Sequence, residues 1–163
     1  YHFYIMAADM EQHLFFHPNV AGWAAYYQEP SFYKLWINNL LLPRRHEFCQ
    51  LMVEGGNFSF NDENYNVTET VPVLDIVAGI TNAANPNSLI NGLAEIMFNY
   101  PITQNQVDSL KDVLIPGLPD FEWNMEYSAH LANPSDTALA ASVESKLRDL
   151  FSVMVRMSEF QIM

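Results

Sequence analysis

Trp23, Tyr26, Tyr27 and Glu29 fall within one short stretch, His17-Pro18-Asn19-Val20-Ala21-Gly22-Trp23-Ala24-Ala25-Tyr26-Tyr27-Gln28-Glu29-Pro30. One Gly and two Pro interrupt it, so it reads as a loop and not as a long helix. A loop rich in large aromatics either docks into a core or presents a surface. Aromatic faces stack on sugar rings or anchor protein interfaces, which makes Trp23, Tyr26, Tyr27 and Glu29 the candidate binding residues. Packing competes with that reading and is favoured for Trp23, which follows Gly22 and can plug a gap beside the first helix. The two tyrosines are the better binding candidates.

Three other groups have suggestive chemistry. Glycosidase-type acid/base work needs two carboxylates at a set separation, and Glu29, Asp120, Glu122 and Glu126 are the candidates. Glu122 and Glu126 lie four apart, which places them near each other on a helix but also makes them repel. With nineteen acidic residues in the chain such pairs arise by chance, so these read as structural or solvating groups. His13 and His17 share the spacing of a helical metal-ligand pair. Pro18 follows at once, however, and only Asp9 and Glu11 are close in sequence, so they read as a helix end. Asn61-Asp62-Glu63-Asn64 offers four side-chain oxygens of the kind Ca²⁺ favours, without the glycine or alternating acids of an EF-hand; it reads as a solvated turn. No nucleophile elbow, glycine-rich phosphate loop or His-Glu-x-x-His occurs. The sequence therefore leans away from an enzyme and predicts no metal and no cofactor.

Composition narrows the partners. A formal charge of −12, with Arg44-Arg45 the only clustered cations, lacks the basic footprint that nucleic acid requires. The same charge repels an anionic leaflet. No apolar run approaches the ~20 residues of a membrane-spanning helix. Cys49 is the single cysteine, which excludes an internal disulfide. Its apolar neighbours Phe48, Leu51 and Met52 read as those of a buried, inert thiol, since only His46 is near enough to lower its pKa.

Periodicity and capping place these residues on elements. Phe3, Met6, Ala7, Met10 and Leu14 keep helical spacing, predicting a first helix over 1–15. Ser31 can cap a second helix carrying Phe32, Leu35, Trp36, Asn39 and Leu40. Pro43 opens a third, with Phe48, Leu51 and Met52 on its apolar side and Gly55-Gly56 at its end. Phe58 and Phe60, then Tyr65 and Val67, alternate with polar residues around 61–64, predicting a hairpin-like insert. Val71 to Thr81 reads as a short helix, and Ser88 to Phe98 as a longer one with Leu89, Leu93, Ile96 and Met97 on one face. Thr103 with Gln106 forms a capping box ahead of Val107, Leu110 and Leu114. Asp120 can cap 121–132. A last helix of about 20 residues starts near Asp136, with Leu139, Val143, Leu147, Leu150, Met154 and Met157 on one side. The fold expected is all-α, an irregular bundle of about seven helices with one aromatic-rich loop and a small hairpin-like insert. It is organised as a single domain over 1–163, with an N-terminal lobe 1–54, a linker or insert 55–69 and a C-terminal lobe 70–163. The first helix has no start signal, and the chain is predicted to be the C-terminal portion of a larger protein.

Three stretches are similar to one bacterial family, domain of unknown function 1800, in the C-terminal part of its Bacteroidetes-type members. Pro18-Asn19-Val20-Ala21-Gly22-Trp23, continuing to Leu35-Trp36-Ile37-Asn38, resembles that family's PNVxGW and LWIN elements. Leu114-Ile115-Pro116-Gly117-Leu118-Pro119 with Glu122-Trp123 resembles its LPGLPDYEW region, and Met157-Ser158-Glu159-Phe160-Gln161-Ile162-Met163 its terminal MPEYQLM. His17 departs from the family, which more often has a second Pro there. The resemblance transfers no catalytic residue. It implies an exported or periplasmic setting and a protein partner from a neighbouring uncharacterised family with a sulfatase-like fold. Together these readings predict a helical C-terminal module that assembles with a partner or binds a ligand such as carbohydrate, without catalysis of its own. The alternative is a hydrolase-like enzyme whose active site is completed by a missing N-terminal region.

Overall fold

The computed structural model describes residues 2–10, 38–60 and 62–161. Among them are eight helices and one two-stranded ribbon, an all-α fold with a minor β element. The chain divides into two compact units, Tyr1–Thr70 and Val71–Met163.

In the first unit, α1 is His2–Asp9. It buries Ile5 and Met6, with Met10 just beyond it, while Phe3, expected on the buried face, is exposed. The predicted continuation of this helix to residue 15 lies outside the described residues, as does most of the helix predicted after Ser31. The end of that predicted helix is a turn: Asn38 Oδ1 accepts the N–H groups of Leu40 and Leu41 at 2.9 and 2.8 Å. This occupies donors that a helix start leaves unpaired, so α2, Leu41–Glu54, starts two residues before the expected Pro43. Gly55 ends it with φ +74°, and a Cβ there would stand 2.9 Å from the Val67 carbonyl oxygen. A bare backbone is needed at this close approach.

The chain then runs into β1, Gly56–Phe60, and back along β2, Glu63–Val67, antiparallel with Phe58 opposite Tyr65. The connection is two residues long and not the expected four, because Glu63 and Asn64 belong to β2. Asp62 takes a positive φ of 64° at the tip, a conformation short polar side chains tolerate. A lone ribbon is marginal in water. Here Phe58 and Val67 are buried in a cluster with Ile5, Met6 and Leu51, and Phe48 and Tyr65 lie against it. The hairpin expected as a linker thus forms part of the first unit's core. Cys49, expected to be buried, is half-buried.

The second unit holds α3 (Val73–Ala78), α4 (Pro86–Met97), α5 (Gln104–Leu114), α6 (Asp120–Ala132), α7 (Thr137–Met154) and α8 (Ser158–Gln161). Several starts are secured by side chains. Asn85 accepts from the N–H groups of Asn87 and Ser88, Asp136 from those of Ala138 and Leu139, and Thr103 and Gln106 form the reciprocal capping box. α7, 18 residues or about 27 Å long, packs against α3, α5 and α6. It buries Val143, Leu147, Leu150, Phe151 and Met154. These meet a core that includes Leu89, Ile90, Leu93, Leu114 and Trp123, all at or near zero exposure. Ile96, expected on α4's inner face, is 63% exposed; the buried stripe runs through Leu89, Ile90, Leu93 and Ala94 instead.

Candidate functional site

The candidate binding residues Trp23, Tyr26, Tyr27 and Glu29 lie outside the described residues, and so do His13 and His17. Of the carboxylates proposed for acid/base work, Glu29 also lies outside the described residues, and Asp120 and Glu126 each engage a neighbouring helix. Asp120 was expected to cap α6; Pro119 occupies that position and no side chain caps it. Asp120 instead meets Lys111 Nζ of α5 at 3.3 Å and accepts from Asn87 Nδ2 of α4 at 3.2 Å. Glu126 turns to α7, where Lys146 and Ser142 donate to its two oxygens, Ser142 at 2.6 Å. Partial burial pushes the Glu126 carboxyl up, but the hydrogen bonds from Lys146 and Ser142 and the Lys146 charge outweigh it. The net result is a pKa below the ordinary 4.5. These groups cross-link helices.

In the ribbon, Tyr65 Oη donates to Glu63 at 2.5 Å and Ser59 Oγ to Asn64 Oδ1 at 2.6 Å. Two of the four side chains of the Asn61–Asn64 turn, Glu63 and Asn64, therefore serve the ribbon's own bonding. Among the described residues no three His, Cys, Asp or Glu side chains gather as metal ligands.

Two surface features of the second unit are built by its helices. The first is α6. Its inner face carries Trp123, fully buried, whose Nε1–H donates to the Ala83 carbonyl at 2.8 Å. Tyr127 stacks on Trp123 with ring centroids 5.4 Å apart, and burial pushes the Tyr127 phenol up. His130 tilts against Tyr127, with its Nδ1 buried and without a hydrogen-bond partner. Because a helix repeats every 3.6 residues, Phe121 and Met125 point the other way. They are 56% and 63% exposed; Leu131, one turn beyond Tyr127, and Leu118 just before the helix are exposed as well. Large apolar side chains stand on two opposite sides of the helix, and only one of those sides is buried.

The second feature is the corner between α4 and α5. α4 ends at Met97, and Phe98 leaves in an extended conformation with its side chain buried and its N–H on the Ala94 carbonyl at 2.9 Å. Pro101 keeps the preceding residue, Tyr100, out of the helical region, and the Thr103–Gln106 box then opens α5. Gln106 Nε2 donates onward to Glu159 of α8 at 2.5 Å, which ties this end of α5 to the C-terminal helix. Between these anchors an open groove of about 370 Å³ is lined by Asn91 and Glu95 from α4 and by Asn99, Tyr100 and Pro101 from the connection, over Ala94 and Phe98. Tyr100 is 77% exposed. Sequence reading missed this groove because its residues straddle a helix end and match no motif. The available signal was Tyr100-Pro101 immediately after an amphipathic stretch.

Among the described residues no helix is long and apolar enough to cross a membrane. The fold is that of an all-α protein. No family model, curated protein or solved structure matches this chain.

Proposed function

We propose that the chain is a helical, non-catalytic module that assembles with a protein partner through the outward face of α6. The observation that carries this reading is the exposure of Phe121 and Met125 on a helix whose opposite face is already packed. Large apolar side chains exposed together on one helix face mark an interaction surface. The binding of Asp120 and Glu126 into inter-helix pairs supports a structural role for the carboxylates over acid/base chemistry. The motif resemblance supports an exported bacterial setting, placement at the C-terminal end of a larger protein, and a partner from the neighbouring sulfatase-like family.

Co-purification of the chain with that sulfatase-like neighbour from the native host tests the proposal. The intact chain retains the partner. The double variant Phe121→Ser, Met125→Ser loses it while its stability stays within about 1 kcal/mol, because both side chains are solvent-facing. Recovery of a lone monomer that turns over hydrolase substrates would replace this reading with the enzyme alternative.

A further inference from the structure

We infer that the groove at the α4–α5 corner is a carbohydrate-binding subsite for a short neutral saccharide. The inference rests on reading the chain as a binding module and adds a ligand class at a site separate from the α6 face. The lining has the composition that such a ligand requires. Asn99 offers a donor and an acceptor on one planar group, Asn91 an acceptor beside an amide that already donates to the Asn87 carbonyl, Glu95 offers acceptors, and Tyr100 offers a ring together with a hydroxyl. A pyranose presents the complement: hydroxyls that both donate and accept around its rim, and C–H groups on its faces that lie against an aromatic ring.

Charge separates this ligand from the alternatives. The lining holds no cationic side chain and one carboxylate, and the end of α4 presents the negative pole of its helix dipole. Phosphates, nucleotides and acidic sugars are therefore disfavoured. A purely apolar ligand would cover Glu95 and Asn99 without pairing them, and burying a polar group unpaired is unfavourable. A volume of about 370 Å³ falls at the small end of ligand sites, matching one or two sugar rings. The groove is open, so a longer chain can pass through it.

The backbone that carries the ring at its mouth is restricted. Tyr100 stands between the buried Phe98 and the Thr103 cap, with Pro101 restricting the backbone between them. The backbone beside Tyr100 therefore has little freedom left to lose when a sugar stacks on the ring.

Amide resonances of the full chain, titrated with cellobiose, maltose, mannobiose and N,N′-diacetylchitobiose, read the result directly. At least one of these neutral disaccharides shifts resonances within 91–102 in a saturable way. Tyr100→Ala weakens that binding about tenfold, the loss of one stacked aromatic contact, without lowering the melting temperature. Asn99→Ala, a second exposed position, weakens it as well. If all four sugars leave 91–102 unmoved while the chain still retains its protein partner, the groove inference is overturned and the module reading stands. Saturable shifts that Tyr100→Ala and Asn99→Ala leave unchanged overturn it equally. Loss of the protein partner with the sugar shifts intact overturns the α6 reading alone.

Discussion

The two units of this chain reach a buried core by different means. In Val71–Met163 the core is made by regular helices whose starts are closed by Asn85, Thr103 and Asp136, and α7 gathers α3, α5 and α6 along its length. In Tyr1–Thr70 the buried cluster is small. Phe58 and Val67 of a two-stranded ribbon meet Ile5, Met6 and Leu51 of two helices, and the arrangement depends on a left-handed Gly55 to turn α2 directly into β1. The first design spreads its stability over many side chains on repeating elements. The second concentrates it in a few residues and one backbone position.

Substitutions can break this comparison, and the largest effect is expected in the second unit. Trp123→Ala removes a fully buried indole, its stacking on Tyr127 and its bond to the Ala83 carbonyl. It should cost about 3–5 kcal/mol, measured by urea denaturation with the helical dichroism as signal. Phe58→Ala should cost about 3 kcal/mol and lower the amide-exchange protection of β1 and β2 first. A cost for Phe58→Ala well above that of Trp123→Ala would reverse the ranking. Gly55→Ala sharpens the backbone half of the argument. It combines a positive φ with a 2.9 Å approach to the Val67 carbonyl oxygen, so about 1–3 kcal/mol should be lost with no change in buried apolar area.

The smallest effect is electrostatic. The ionised form of Glu126 is favoured in the fold by Lys146 and Ser142. The stability it contributes is complete above its ordinary value of 4.5 and is lost as pH falls through its lowered folded value. Glu126→Gln should therefore show a shallower loss of stability below about pH 4.5 than the parent, read from melting temperatures across that range. An unchanged acid limb would show that the Glu126–Lys146 pair does not stabilise the unit.

These differences explain what the sequence made legible. The Thr103–Gln106 box, the Asp136 cap and the stripe Val143, Leu147, Leu150, Met154 were readable because capping chemistry and a 3.6-residue period are local signals. The hairpin was readable from alternation at Phe58, Phe60, Tyr65 and Val67. Its role in the core was not, since packing on Ile5 and Met6 joins residues more than fifty positions apart and leaves no local trace. α6 shows the limit of periodicity. With Trp123 and Tyr127 on one side and Phe121 and Met125 on the other, spacing alone cannot choose the buried face. The same ambiguity misplaced Ile96 on α4. Asp120 resembled a cap because it precedes an apolar run, yet Lys111 and Asn87, distant in sequence, claim its carboxylate.

The proposal that the outward face of α6 receives a partner is tested most directly by hydroxyl-radical footprinting of the chain alone and in the complex recovered with its partner. Free in solution, Met125 should oxidise readily and Met154, fully buried on α7, should not. In the complex, oxidation of Met125 should fall toward that of Met154, and Phe121 should be shielded with it. Met125 and Phe121 modified to the same extent in the complex as in the free chain would contradict the account.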